Sequence, residues 1–310
     1  MIVLDAARTA AALPFERLIP ALREAFVTGA EVPLRHRHDL MQPDGTSAAL
    51  LLMPAWRAGG FLGVKVVSVV PGNGARGLPA VSSSYLLCDG ATGQHLALID
   101  GGEITGRRTA AASALAASFL ARDDAVSLLI VGSGHIAGLL AAAYQVVRPI
   151  ERVRVWNIRP AGAERLAARL REEGFDAVAV TDLAAAVAEA DIVSCATLAR
   201  APLIRGEWLR PGTHLDLIGG FTPAMREADD AAVRRARVYI DTDAALAEAG
   251  DLIDPIAHGV LRREDIAGSL FSLCRGEVAG RQTRDEITLF KSVGSAVEDL
   301  AAAGLAYRGE

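Results

Sequence analysis

One apolar run, Val126–Val147 (VSLLIVGSGHIAGLLAAAYQVV), constrains the fold of this chain more than any other stretch. Gly132, Gly134 and the small Ala137 within it have the spacing of a dinucleotide-binding fingerprint, in which a strand passes directly into a helix. The first glycine makes the tight turn, the second lets a pyrophosphate approach the backbone, and the third small residue lets helix and strand pack closely. The alternative is that these glycines form an ordinary turn in a glycine-rich chain. The elements predicted on either side distinguish the two interpretations.

Those neighbouring elements have the order and length of a βαβ unit. We predict a buried strand at Ser127–Val131, a helix at His135–Val147 and a second strand at Arg152–Trp156. The run lacks Asp, Glu, Lys and Arg and could be scored as membrane-spanning, but the glycine spacing favours a buried strand and helix. Free N–H groups at the helix start face the phosphates in such a unit. The loop residues expected to contact a cofactor are Gly132, Ser133, Gly134, His135 and Ile136.

The tip of the second strand indicates which nicotinamide cofactor fits. An acidic residue there would hold the ribose hydroxyls of NAD, whereas this chain has Asn157 followed closely by Arg159, which suits a 2′-phosphate. We therefore expect NADPH, with NADH possible; the alternative is that Arg159 merely begins a solvated helix face. Thr197 and Leu198 follow a later predicted strand and are expected to border the same crevice.

Composition narrows the class of protein. The chain has 310 residues, of which 51% are hydrophobic and 22% charged, enough for one large or two medium domains. A net charge of −5 and the lack of a basic run argue against nucleic acid as a partner. Cys88, Cys195 and Cys274 are scattered, as is typical of reduced thiols rather than of a disulfide framework or a metal site. We expect a cytoplasmic protein with no metal and no membrane partner.

Cationic side chains cluster before the βαβ unit. In a strand at Val32–His38, Arg35 and Arg37 would share one face while His36 and His38 share the other. A solvated edge is one explanation, and a wall that binds a substrate carboxylate is the other.

Further along, Ala48–Pro54, Leu62–Val70 and Ala80–Cys88 are predicted strands of a largely antiparallel or mixed sheet. Lys65 interrupts the second of these apolar runs. It either snorkels from an edge strand or points into a pocket to hold an anion.

Two more predictions concern helices. A helix at Thr109–Ala121 would place Arg107 and Arg108 at its N-terminus, where the macrodipole disfavours a cation unless an anion is present. Apolar positions recur at helical spacing over Ile287–Ala303, which predicts a closing helix with one buried face.

Several of these segments, in this order, resemble the ornithine cyclodeaminase/mu-crystallin family over nearly the whole chain. They are VPLR, MPA, GVK, PGNGARGLP, LALIDGGEITGRRTAA, VGSG and GRQTRDEITLFKSVGSAVEDLAAA. The resemblance implies an α/β fold in which a Rossmann dinucleotide-binding domain is inserted into a mixed α/β substrate-binding and dimerisation domain. The inserted NADP-binding domain would span residues 117–290, and residues 1–116 with 291–310 would form the other domain. Family members are typically homodimers built around that other domain.

The resemblance also implies roles for individual residues. Arg35, Lys65 and Arg108 should hold and activate a substrate carboxylate, in agreement with the cations singled out above. Lys291 should reach the nicotinamide. His36 or His38 could supply a proton, because histidine titrates in a suitable pH range.

A departure from the family pattern points to the reaction. Cyclodeaminases carry an aspartate after a glycine pair near a Rossmann strand end, and Phe221 stands in its place here. A phenyl ring cannot bind an ammonium as a carboxylate does, but it could cover a hydrocarbon ring and exclude water. The segment GGFTPAMREADD is similar to the branch that reduces cyclic ketimines, so the expected substrate is a small cyclic imino acid such as Δ1-pyrroline-2-carboxylate or Δ1-piperideine-2-carboxylate.

Three alternatives stay open on the same scaffold: an ornithine cyclodeaminase, an L-alanine dehydrogenase, and a non-catalytic binder of NADPH and an apolar ligand. Retention of Arg35, Lys65 and Arg108 weighs against the binder, because buried cations without an anionic ligand would be costly.

Overall fold

The strands form two sheets, and each sheet belongs to its own part of the chain. The computed structural model describes residues 1–42 and 45–309. One unit comprises Met1–Arg108 and Ser295–Glu310, and the other comprises Thr109–Gly294.

The elements are numbered along the chain. The strands are β1 Ile2–Leu4, β2 His36–Met41, β3 Ser47–Trp56, β4 Phe61–Val69, β5 Val81–Asp89, β6 His95–Asp100, β7 Ser127–Val131, β8 Arg152–Trp156, β9 Asp176–Ala179, β10 Ile192–Cys195, β11 His214–Leu217, β12 Ala236–Ile240, β13 Gly268–Ser269 and β14 Ile287–Lys291. The α-helices are α1 Ala6–Ala12, α2 Phe15–Thr28, α3 Gly101–Leu120, α4 Ala137–Gln145, α5 Pro160–Glu172, α6 Leu183–Glu189, α7 Asp230–Arg235, α8 Ala245–Glu248, α9 Gly250–Ala257, α10 Leu270–Cys274 and α11 Ala296–Arg308.

The first unit is built on a six-stranded sheet of order β1-β6-β5-β4-β3-β2. Only the β1–β6 pair in it is parallel, so the prediction of a mixed sheet is confirmed. Helix α11 packs against α2 and against β4. Along β4, Gly63, Lys65 and Val67 are buried while Val66 and Ser68 are exposed, which is the alternation of a sheet covered on one face.

The second unit contains an eight-stranded, wholly parallel sheet of order β13-β12-β14-β11-β10-β7-β8-β9. The strand order reverses between β7 and β10, and ligands of such sheets bind at that point, outside the carboxyl ends of the strands. Val126–Val147 supplies β7 and α4 at this position, and β7 is completely buried. The Rossmann-type architecture predicted from the glycine spacing is therefore confirmed. No helix in residues 1–42 and 45–309 is long and apolar enough to cross a membrane.

Three element predictions need correction. Ile287–Ala303 is not one helix: Ile287–Lys291 is strand β14, and the helix α11 starts only at Ala296. All five residues of β14 are buried, so its apolar positions carry no strand periodicity, and Gly294 with φ of 82° separates the two elements. Lys291 thus ends a strand and does not begin a helix.

The other two corrections concern the cationic segments. Helix α3 begins at Gly101, so Arg107 and Arg108 lie in its second turn, and the macrodipole argument against them fails. The strand expected at Val32–His38 is instead β2, His36–Met41.

Candidate functional site

The glycine loop after β7 has the geometry that a dinucleotide requires. Gly132 has φ of 119°, and a Cβ there would lie 2.5 Å from the Ala196 carbonyl oxygen of the neighbouring loop. A Cβ on Gly134 would meet nothing within 4 Å. Gly132 is therefore fixed by the protein itself, whereas the space beside Gly134 is open to a ligand. This open space at a helix start fits a pyrophosphate.

The strand tip after β8 is neutral to cationic, as the sequence indicated. The Asn157 side chain donates to the Arg159 carbonyl oxygen at 3.2 Å, and the Arg159 side chain is exposed. A Cβ on Gly162 would lie 2.6 Å from Ser133 Oγ and 2.5 Å from Asn157 Nδ2, so α5 packs tightly on both predicted cofactor contacts. In the same loop His135 is exposed and Ile136 is half-buried. The arrangement leaves Arg159 accessible to a phosphate.

The loops after β10 and β11 are joined by a buried carboxylate that the sequence analysis missed. Glu227 is completely buried. Its Oε1 accepts hydrogen bonds from the backbone N–H and the hydroxyl of Thr197 at 2.9 and 2.8 Å. Its Oε2 accepts from the N–H groups of Gly219 and Gly220 at 2.9 and 3.2 Å. One side chain thus holds the loops of two adjacent strands.

A buried ion pair between Asp251 and Lys291 holds the backbone at Glu227. Asp251 Oδ1 accepts from the backbone N–H groups of Glu227 and Ala228 at 2.7 and 3.1 Å, while its Oδ2 lies 2.9 Å from Lys291 Nζ. Burial raises the pKa of Glu227 to about 7, with Lys291 opposing the shift and Asp251 adding to it. The Lys291 side chain has no solvent exposure, so its ammonium serves Asp251; contact with the nicotinamide stays a prediction.

Two residues of these loops, Leu198 and Phe221, have exposed apolar side chains. Leu198 is 71% exposed and Phe221 is 49% exposed. An aromatic ring that protrudes from the glycine pair is available to cover an apolar ligand.

In the first unit, two of the three predicted carboxylate-binding cations lie around one aspartate. Lys65 Nζ is 2.7 Å from Asp299 Oδ2, and Arg108 Nε donates to Asp299 Oδ1 at 3.1 Å. Arg108 also donates through Nη1 to Glu298 Oε2 at 2.9 Å. Both acids lie in the first turn of α11, where the helix dipole favours negative charge.

These ion pairs change one argument from the sequence. The burial of Lys65 and Arg108 is compensated by Glu298 and Asp299 within the chain, so it does not by itself require an anionic ligand. Burial lowers the pKa of Lys65, and Asp299 opposes that shift. Burial alone would raise the pKa of Asp299, but the charges of Lys65 and Arg108 outweigh it and the pKa lies below its ordinary value.

The strand register places the two predicted histidines and Lys65 on opposite faces of the sheet. His36 pairs with Leu52, which pairs with Val66, so His36 and His38 lie on the sheet face opposite to Lys65. This register does not bring His36 or His38 beside Lys65, and the expectation that one of these histidines supplies the proton stays a prediction. Arg35 directly precedes β2, and its side chain is half-buried.

Sequence reasoning missed four carboxylates because acidic residues are usually exposed: Glu227, Asp251, Glu298 and Asp299. A signal for the last two was available. They are flanked by Val297 and Leu300 in an alanine-rich helix that has little polar surface to give to water.

The chain is similar to known nicotinamide-binding proteins, and one family accounts for almost its whole length. The fold places the chain among nicotinamide-binding proteins with a Rossmann-type sheet. The family model described as the ornithine cyclodeaminase/mu-crystallin family matches residues 1–308, and the chain belongs to that family.

Three relatives cover almost the whole chain. The Δ1-pyrroline-2-carboxylate reductase of Paracoccus denitrificans is 45% identical over 92% of this chain and 90% of its own length. The Thermococcus litoralis Δ1-pyrroline-2-carboxylate reductase, solved in complex with NADH and L-proline, is 36% identical with a TM-score of 0.92, covering 100% of this chain and 97% of that one. An archaeal alanine dehydrogenase dimer with bound NAD is 27% identical with a TM-score of 0.90, covering 100% of this chain and 95% of that one.

Proposed function

We propose that this protein reduces a cyclic imine carboxylate, converting Δ1-pyrroline-2-carboxylate to L-proline and, for the larger ring, Δ1-piperideine-2-carboxylate to L-pipecolate. The observation that carries the proposal is full-length similarity to two proteins named for the first of these reactions. Phe221 at the position of the cyclodeaminase aspartate supports reduction over ammonia release, because a phenyl ring cannot hold an ammonium or move a proton.

The second unit would hold the nicotinamide cofactor, which supplies the hydride when bound. Gly132 to Ile136 and the start of α4 would bind the pyrophosphate, and Asn157 with Arg159 would take a 2′-phosphate. We therefore propose NADPH as the preferred cofactor. The Thermococcus relative was solved with NADH. The preference of this chain for NADPH over NADH therefore rests on its own residues Asn157 and Arg159 and is to be measured directly.

The first unit would hold the substrate. Arg108 and Lys65 would meet the carboxylate, and Arg35, just before β2, would complete the cationic wall. Two of these cations already balance Glu298 and Asp299, so the ion pairs fix the orientation of the guanidinium and ammonium groups before substrate arrives.

A proton must reach the ring nitrogen during reduction. Because His36 and His38 lie on the opposite face, we propose Lys65 as the donor. Burial lowers its pKa toward the range in which an ammonium gives up a proton readily.

The open face of the first sheet supports a homodimer. Pro54, Val64, Leu86, Leu98 and Val3 pair in register and form an apolar row across five strands. Val3 is 57% exposed and Leu98 36% exposed, and an apolar row of this length on a sheet face is typical of an interface. We propose that a second copy of this chain covers it, as the archaeal relative is described as a dimer. In this chain Cys88, Cys195 and Cys274 are buried and scattered along the sequence, as is typical of reduced thiols, and this supports a cytoplasmic location.

The test is to incubate the purified protein with NADPH and each imine and to identify the product by chiral chromatography. L-proline or L-pipecolate formed in proportion to NADPH consumed supports the proposal, and the ratio of the two rates gives the ring preference. No cyclic amino acid formed from either imine would refute it.

A further inference from the structure

The carboxylate of Glu227 joins two loops that lie where the cofactor crevice opens. Thr197 follows β10 and Gly219 follows β11, both at carboxyl ends of parallel strands. The phosphate loop follows β7, and the ribose-binding tip follows β8. Because β7 and β8 take the adenosine and pyrophosphate half of a dinucleotide, the β10 and β11 loops face its nicotinamide half.

The hydrogen-bond pattern of Glu227 divides cleanly between the two loops. Among the described residues, Oε1 accepts from Thr197 and Oε2 accepts from Gly219 and Gly220. Every partner is a donor, so the side chain acts here as an acceptor through both oxygens. A glutamine has one acceptor oxygen and could hold only one of the two loops.

The Thr197 loop and the Gly219–Gly220 loop pack closely against each other. A Cβ on Gly219 would lie 2.0 Å from the Thr197 carbonyl oxygen and 2.5 Å from Glu227 Oε1. A Cβ on Gly220 would lie 3.1 Å from Asp251 Oδ2 and 3.4 Å from Lys291 Nζ. The spacing of the loops is thus set by Glu227 and by the ion pair that supports it.

We propose that Glu227 is a positioning residue that sets the Thr197 and Gly219–Gly220 loops for the nicotinamide half of the cofactor, with Asp251 and Lys291 fixing Glu227 itself. The inference rests on the proposed nicotinamide cofactor but not on the identity of the imine substrate. It assigns Lys291 an indirect part in cofactor binding, through Asp251.

The test compares a whole cofactor with a fragment that lacks nicotinamide. Dissociation constants are measured by fluorescence titration for NADPH and 2′-phospho-ADP-ribose, and for NADH and ADP-ribose, on the wild-type protein and on Glu227→Gln. We expect Glu227→Gln to weaken NADPH or NADH binding roughly tenfold or more while the matching fragment stays within about twofold of wild type. A general loss of structure would weaken both alike.

Asp191→Asn is the matched control. Asp191 is a buried carboxylate that accepts from the N–H groups of Val126 and Ser127 at 3.0 Å each, but it lies at the amino ends of β7 and β10. We expect this variant to leave the ratio of cofactor to fragment affinity unchanged. Equal weakening of cofactor and fragment by Glu227→Gln, or no weakening of either, would overturn the positioning role. Failure of the wild-type protein to bind any of the four nucleotides would instead refute the proposed cofactor.

Discussion

At the residue scale, the chain stabilises buried charge by placing opposite charges and hydrogen-bond donors around it. Arg108 contacts both Glu298 and Asp299, and all three side chains are almost fully buried. Removing one partner of such a group leaves an uncompensated charge in a low-dielectric interior.

Replacing Arg108 with glutamine should therefore lower the free energy of unfolding by about 3–5 kcal/mol and abolish imine reduction. Urea denaturation and the reductase assay measure the two effects. Arg37→Gln is the control, since Arg37 pairs with Asp39 at an exposed position, where an ion pair contributes less than about 1 kcal/mol. Equal loss of stability in both variants would contradict the buried ion-pair account.

The proposed proton donor gives a prediction for the pH profile of the reaction. If Lys65 donates the proton, kcat/KM falls as pH rises through the pKa of Lys65, which burial lowers from its ordinary value. Lys65→Arg keeps a cation that does not titrate in this range, so its residual activity should lack that alkaline fall. The same fall in the arginine variant would exclude Lys65 as its source.

His214 gives a prediction for stability against pH. It is fully buried, its Nδ1 lies 2.9 Å from Thr288 Oγ1, and burial lowers its pKa to about 3. Between this value and the ordinary pKa, the unfolded chain binds a proton that the folded chain does not, so stability falls as pH falls. Between about pH 7.5 and about pH 5 the wild-type protein should lose about 2 kcal/mol more than His214→Gln does. Denaturation curves at both pH values measure this difference, and a constant gap between the two proteins would contradict it.

At the element scale, the two glycines of the loop between β7 and α4 differ in why a side chain would be unfavourable. At Gly132 the fold itself excludes a side chain, whereas at Gly134 a side chain would compete only with a ligand. Gly132 has a positive φ and a close neighbour, whereas Gly134 has neither. A methyl group on Gly134 would occupy only the space that a pyrophosphate would use.

Gly134→Ala should therefore change the free energy of unfolding by less than about 1 kcal/mol and raise the dissociation constant for NADPH roughly tenfold or more. Gly132→Ala is the comparison from the same loop and should lose stability by about 1–3 kcal/mol. Denaturation and fluorescence titration measure both variants. Unchanged NADPH affinity in Gly134→Ala would show that this loop does not hold the pyrophosphate.

The sequence alone predicted elements well where glycine spacing or alternation carried the information. Ser127–Val131 and Arg152–Trp156 agree with β7 and β8 at both ends. Prediction failed at Ile287–Ala303, because a strand buried on both faces has no alternation and its apolar residues mimic helical spacing.

The candidate site was predictable only in part, for a related reason. Lys65 was singled out because it interrupts an apolar run, and Arg108 because it precedes a predicted helix and matches a family motif. Their partners on α11 are far away along the chain, and no local pattern pairs residues across that distance. The pairing of Glu227 with the loops after β10 and β11 depends on tertiary packing in the same way.

At the scale of the whole molecule, the proposed dimer interface is the apolar face of the sheet in the first unit. Val64→Asp would place a charge in the middle of the apolar row, and we expect it to convert a dimer to a monomer in light scattering after gel filtration. Val178→Asp is the control, since Val178 is 48% exposed on β9 of the other unit and should leave the dimer intact. A wild-type protein that is monomeric at micromolar concentration would refute the proposed interface.

By the proposed function, this chain reduces cyclic imines and does not deaminate ornithine. The most direct measurement follows the absorbance of NADPH, and separately of NADH, after addition of Δ1-pyrroline-2-carboxylate, with ammonia release from L-ornithine and NAD as the parallel assay. We expect rapid oxidation of NADPH, slower oxidation of NADH and no ammonia. Ammonia release from L-ornithine with no oxidation in the presence of the imine would contradict the account and make the chain a cyclodeaminase despite Phe221.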